Sequence, residues 1–110
     1  MNYKIIPTEH FKQQVRMLQK DYPNIRHDLQ ELHRILVENP KCGKPLGKKV
    51  YKIRLSNSDI SKGKRSGYRV ISYVVDEDLK IRLLTIYAKS RQTDISETEI
   101  VSILRKEGLL

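Results

Sequence analysis

Ten basic side chains fall within residues 41–69, against a single acid, Asp59. The remaining residues hold twelve basic and twelve acidic groups, so the formal charge of +9 is concentrated in one stretch. A charge that serves solubility is spread around a surface. Concentrated in one sign, it attracts a polyanion through counterion release and electrostatic steering. Several of these cations alternate with apolar residues, as strand residues do. Lys52 and Arg54 share one parity, Arg69 and Tyr73 another, Tyr87 and Lys89 a third. Residues two apart on a strand share a face. A charged strand face is stable only if it is solvated or paired. It is then either an edge that uses Lys and Arg to resist aggregation, or a groove for a phosphodiester. In such a groove, cations on rigid strands stabilise the extra negative charge of a pentacoordinate phosphate.

Other chemistries find little support. His10, His27 and His33 fall on expected helices; His27 and His33 are six apart and share no helix face, and HExxH spacing is absent. Gly63 and Gly67 bracket Lys64-Arg65 without the spacing of a phosphate-binding loop. Cys42 is the only cysteine, which leaves no internal disulfide and fits a reducing, cytoplasmic setting. No apolar run approaches the roughly 20 residues that span a bilayer, so no membrane partner is expected. Neither is a metal or a cofactor.

The elements that must position the basic residues follow from periodicity. Tyr3 to Ile6 reads as a first strand. Thr8 caps a helix carrying Phe11, Val15 and Leu18 on one stripe. A second helix repeats Ile25, Leu29, Leu32 and Leu36 and stops at Asn39-Pro40. The short link predicts a helical hairpin. Lys41 to Lys49 reads as a loop. Val50 to Leu55, Gly67 to Val75 and Lys80 to Ala88 read as strands, separated by a polar loop over Ser56 to Ser66 and by the turn Asp76-Glu77-Asp78. Ser96-x-x-Glu99 is a capping box that opens a last helix with Ile100, Ile103 and Leu104. The expected architecture is α+β, one domain over residues 1–110, in the order β-α-α-β-β-β-α. An antiparallel sheet packs on the N-terminal helical hairpin, a C-terminal helix follows, and the second sheet face is left partly open.

The strand Tyr51-Lys52-Ile53-Arg54-Leu55, followed by Gly67-Tyr68-Arg69-Val70-Ile71-Ser72-Tyr73-Val74-Val75-Asp76, resembles the central strands of RelE/ParE-superfamily toxins. The basic segment Ser61 to Gly67 and the later Leu83-Leu84-Thr85-Ile86-Tyr87-Ala88-Lys89-Ser90 resemble the HigB-like branch. The likeness covers residues of about 24–105. It implies the toxin of a type II toxin–antitoxin system, a ribosome-dependent endonuclease acting on mRNA in the A site. In such an enzyme the ribose 2′-hydroxyl attacks its own phosphate, and no metal is required. It also implies a cognate antitoxin protein, expected to carry a helix-turn-helix DNA-binding domain. By matching motif, Arg69 would stabilise the transition-state phosphate, with Lys52 and Arg54 supplying a base and further phosphate contacts. The family carries an Arg and a Tyr after the last strand, where this chain has Ser90 and Ser96; Tyr87 and Lys89 are the expected substitutes. Lys48, Lys49, Lys62, Lys64, Arg65 and Tyr73 are the expected RNA-binding residues. The superfamily also includes non-enzymatic inhibitors of DNA topoisomerase, which is the competing reading.

Without histidine, proton transfer falls to poorer groups. A lysine is a weak base near neutral pH, and a field of neighbouring cations favours its neutral amine. Lys52 is expected beside Arg54 and Arg69 in such a field. Part of the rate would come from holding the RNA with its 2′-oxygen in line. The basic run predicts ribosome binding that falls by orders of magnitude from low to moderate salt. A flat salt response in a sedimentation or filter-binding assay would reduce the run to a solvated loop.

Overall fold

The computed structural model describes residues 2–60 and 66–110. The elements are β1 (Lys4–Pro7), α1 (Glu9–Gln19), α2 (Ile25–Glu38), β2 (Lys44–Gly47), β3 (Val50–Leu55), β4 (Tyr68–Val75), β5 (Lys80–Ala88) and α3 (Glu97–Lys106), with a 3-10 turn at Asp76–Asp78. The strands form one sheet in the order β1-β5-β4-β3-β2. The α+β class and the sequence of elements are as expected, and two details differ. β1 pairs with β5 in parallel, so the sheet is mixed rather than wholly antiparallel. The chain leaves β1 through the two helices and returns to the sheet, a crossover long enough for a parallel pair. The expected loop at Lys41 to Lys49 contains β2, which pairs antiparallel with β3. Pro45, Gly47 and four exposed positions hide it in the sequence.

Alternation sorts the side chains onto two faces. Ile53 and Leu55 of β3, and Tyr68, Val70 and Val74 of β4, meet Phe11, Val15 and Leu18 of α1 and Ile25, Leu32 and Leu36 of α2. The amphipathic helices exist because this apolar stripe has a sheet to cover. The opposite face carries a smaller cluster of Val50, Ile71 and Leu84 under Ile100, Ile103 and Leu104 of α3. α3 therefore covers only part of that face. Ser96 caps it by accepting from the Glu99 N–H at 3.1 Å, as the capping box predicts. Among the described residues no helix is long and apolar enough to cross a membrane.

One irregularity decides where the end of β5 points. The register with β4 runs from Ile71–Thr85 to Ser72–Leu83 and leaves Leu84 without a ladder partner. The extra residue is a β-bulge, and it switches the parity of the strand. Ile81 and Leu83 face the hairpin before it, and Ile86 and Ala88 face the hairpin after it. Thr8 serves this irregularity from outside the sheet. Its hydroxyl donates to the Leu83 carbonyl at 2.8 Å, with the Leu84 carbonyl at 3.2 Å, and accepts from the Phe11 N–H at 3.1 Å as the α1 cap. The Glu107 carboxylate accepts from the N–H groups of Glu9 and His10 at 3.1 and 3.3 Å, in the first turn of the same helix. Thr8→Ala is therefore expected to cost about 1–3 kcal/mol, because the helix cap and the hydroxyl bond to the bulge are lost together, while the Leu83 carbonyl keeps the backbone N–H of residue 8. Thr8→Ser should recover most of it. Chemical denaturation of the three proteins checks this, and equal midpoints would remove the cap from the account.

Candidate phosphate-binding cleft

Cross-strand register brings the basic side chains together. Arg54 of β3 lies opposite Arg69 of β4, and Arg69 lies opposite Tyr87 of β5. One pleat further along, Lys44 of β2 lies opposite Lys52 of β3. All stand on the face away from the hairpin, beyond the edge of α3. The bulge is what puts Tyr87 there: with unbroken alternation from Ile81 and Leu83, it would face the hairpin. Lys44, Lys52, Arg54, Arg69 and Lys89, with Thr93, line a cleft of about 430 Å³ whose remaining wall is Ile35 of α2, Cys42, Gly43 and Ile53.

The motif Gly67-Tyr68-Arg69 resolves into three separate roles. A Cβ at Gly67 would overlap the Leu55 carbonyl oxygen, so the two backbones approach only because the residue is glycine. Tyr68 is fully buried in the hairpin core and meets Tyr22 edge-on, with ring centroids 5.8 Å apart. Arg69 turns into the cleft, only 4% exposed, and its guanidinium donates to the Tyr68 carbonyl at 3.1 Å. Burial first, and then the Arg54 cation, lower its pKa from the usual arginine value. Two cations facing each other on paired strands repel one another.

Tyr87 is buried beside Arg69 and does not line the cleft, although its hydroxyl has no hydrogen-bond partner among the described residues. Burial and the carboxylate of Asp94 raise its pKa, against the opposing effect of Arg69, so the phenol keeps its proton at neutral pH. Lys89 is on the cleft wall, and its N–H donates to the Gly67 carbonyl at 2.9 Å. Lys52 does not stand in an unrelieved field of like charge, as expected from sequence. Its ammonium meets the Asp94 carboxylate at 3.1 Å.

Asp94 is the residue that the sequence reading missed. It lies in the link between β5 and α3, 42 positions from Lys52. The only local signal is its place two residues before the Ser96 cap. Lys44 was missed as well, since its segment read as loop. Tyr73 shares the face of Arg69 but packs with the α3 cluster, away from the cleft. Lys48 and Lys49 form the β2–β3 turn at that far end, 4.0 Å from Glu97 and 3.6 Å from Glu77. Lys62, Lys64 and Arg65 lie outside the described residues. Among the described residues no three His, Cys, Asp or Glu side chains group as metal ligands do.

No family model matches the chain. Several solved structures share its fold. The free E. coli toxin RelE, as a double arginine-to-alanine mutant, superposes with a TM-score of 0.62 at 22% identity, over 93% of this chain and 97% of that one. The same mutant toxin in complex with a peptide of the antitoxin RelB gives 0.59 at 21% identity, over 93% of each chain. The intact E. coli RelBE toxin–antitoxin complex gives 0.56 at 22%, over 78% of this chain and 95% of that one. The chain has a RelE-like α+β fold. At this level of identity the likeness establishes the architecture and leaves the chemistry to the side chains.

The Ile95 N–H, which donates to Asp94 at 2.8 Å, and then the Lys52 ammonium hold the Asp94 carboxyl below the usual carboxylate range. A depressed value means that the link is intact at neutral pH and is lost as pH falls through the folded-state pKa. Lys52→Ala is expected to raise the Asp94 midpoint part of the way towards the ordinary value, because the Ile95 N–H remains. Carboxyl-carbon NMR against pH reads this directly, and an unmoved midpoint would mean that the pair does not form in solution.

Proposed function

We propose that this chain is the toxin of a type II toxin–antitoxin system and acts as a ribosome-dependent mRNA endonuclease. The observation that carries the reading is the register that sets Arg54 opposite Arg69 and places both in one cleft with Lys44, Lys52 and Lys89. The likeness of the fold to RelE, free and in complex with RelB, supports it. The mRNA would lie in the cleft with one phosphodiester between Arg54 and Arg69. Its ribose 2′-oxygen attacks the phosphorus, the 5′-oxygen leaves, and a 2′,3′-cyclic phosphate remains on the upstream fragment.

Cations already fixed on central strands supply the charge that the pentacoordinate phosphate needs, without reorganisation and without a metal. Arg69 is the principal phosphate ligand in this reading, and its planar fork matches two phosphate oxygens. Arg54 adds a second contact. Lys52, steadied by Asp94, and Lys89 are the candidates for proton transfer at the cleft. Tyr87, a buried proton-bearing phenol behind Arg69, backs the guanidinium. The ribosome aligns the message, which lessens the demand on acid and base. A cognate antitoxin with a helix-turn-helix domain would neutralise the chain. The HigB-like branch remains part of the proposal, on the strength of the segment from Leu83 to Ser90.

Arg69→Ala should reduce cleavage by about 10²–10³-fold, the scale for removing one transition-state donor. The protein should stay soluble and folded by circular dichroism. Arg69→Lys should also be impaired, since lysine lacks the fork. Controlled expression in bacteria with mapping of new mRNA 5′ ends reads the activity. New ends at a fixed codon phase, absent with Arg69→Ala, are the expected result. DNA-damage signalling without new ends would replace the nuclease by a topoisomerase inhibitor.

A further inference from the structure

The far end of the open sheet face gathers cations that the chain order keeps apart. Lys4 of β1 lies opposite Lys80 of β5, and Ile6 opposite Arg82. Arg82 in turn lies opposite Tyr73, and Lys80 opposite Val75. Ile5 and Ile81 turn to the hairpin core, so Lys4, Lys80 and Arg82 turn the other way, to the face that carries Tyr73. The β2–β3 turn closes the same end, where the Lys49 carbonyl accepts from the Val74 N–H at 2.9 Å.

Two features of this end work against stability. Lys4 and Lys80 are like charges directly opposed on paired strands, an arrangement that destabilises a sheet. Lys48 and Lys49 both adopt left-handed backbone, with φ of 52° and 70°, in a two-residue turn that Asn-Gly fills at least cost. Backbone strain of this kind tends to persist where function requires it. The neighbouring acids do little to relieve the charge. Asp76 is engaged by Tyr3 and Lys41, and Glu77 by Lys49, while Asp78 stays exposed on the turn. Among the described residues no ion pair reaches Lys4, Lys80 or Arg82, and the exposed Lys48 and Lys49 pairs are worth little.

We propose that this end of the sheet is a second RNA surface, which grips the phosphate backbone of double-helical RNA and is separated from the cleft by α3. Its cations are fixed on strands, about 4.8 Å apart across the sheet and about 6.6 Å apart along it. A flat, rigid array suits a stiff backbone. A protein partner would call for an interface core depleted in lysine and richer in aromatic and apolar groups. The surface rests on the reading of the chain as RNA-directed, but it does not depend on cleavage.

The test measures the affinity of the full chain for a short RNA duplex across a salt series. Lys4→Gln/Lys80→Gln/Arg82→Gln is compared with Lys12→Gln/Arg16→Gln/Lys20→Gln, which removes as much charge from α1 and its C-cap. The first variant should weaken binding by about tenfold or more and lower the salt slope by about 2, from a loss of roughly 0.7–0.9 per phosphate contact. The second should change both far less. Equal losses in the two variants would reduce the surface to net charge and overturn the proposal. So would unchanged duplex affinity with weakened antitoxin binding, which would assign the surface to an acidic protein. Arg69→Ala separates this proposal from the nuclease reading, because it should lower cleavage by about 10²–10³-fold while largely keeping duplex affinity. If Arg69→Ala still cuts, the cleft assignment fails and the duplex comparison stands unaffected.

Discussion

A single extra residue in β5 governs the rest of the site. Leu84 has no partner across the ladder, and its insertion moves Tyr87 to the open face while Ile86 and Ala88 stay in the core. The hairpin core and the row of Arg54, Arg69 and Tyr87 therefore coexist only because β5 changes parity between them. The bulge leaves carbonyls to be satisfied, and Thr8 reaches two of them while it caps α1. The helix that covers one face of the sheet is thus fastened at the place that shapes the other. A packing device and a chemical one share the same few atoms.

Charge is placed on the sheet in the same economical way. Lys52, Arg54 and Arg69 sit on strands whose other parity turns to the core, so their backbone is held by core packing rather than by contacts of their own. Such rigidity is useful only if the charges find a counterpart. Asp94 supplies part of one at Lys52, from a link where it is mostly exposed and readily displaced by solvent or ligand. Around Arg54 and Arg69 the cleft holds like charges on paired strands.

Much of this was legible in the sequence because alternation and capping are local signals. The parity of Tyr51 to Leu55 placed Lys52 and Arg54 together, and Thr8 and Ser96 marked two helix starts correctly. The features that escaped are those made by contacts distant in sequence or by unusual local chemistry. The parallel pairing of β1 leaves no mark near Lys4. β2 was hidden because its hairpin turns on Lys48-Lys49 rather than on Asn-Gly. The apolar run Leu83-Leu84-Thr85-Ile86 masks the bulge, since no alternation remains in it to be broken. Tyr73 has the same parity as Arg69, but parity says nothing about position along the strand, and α3 lies between them. Asp94 could be paired with Lys52 only in three dimensions.

The carboxylate that Glu107 lends to the first turn of α1 has a consequence for synthesis. The contact joins positions 98 apart, and β1 must also wait for β5 before it has a neighbour in the sheet. While the nascent chain is still emerging, α1 has neither this carboxylate nor the carbonyls that Thr8 engages. Contacts of such long separation are closed late and slowly. The basic strands β3 and β4 are thus exposed to the translating ribosome before Asp94 and α3 arrive to cover part of them, so the order of the elements delays the finished cleft until most of the domain is out.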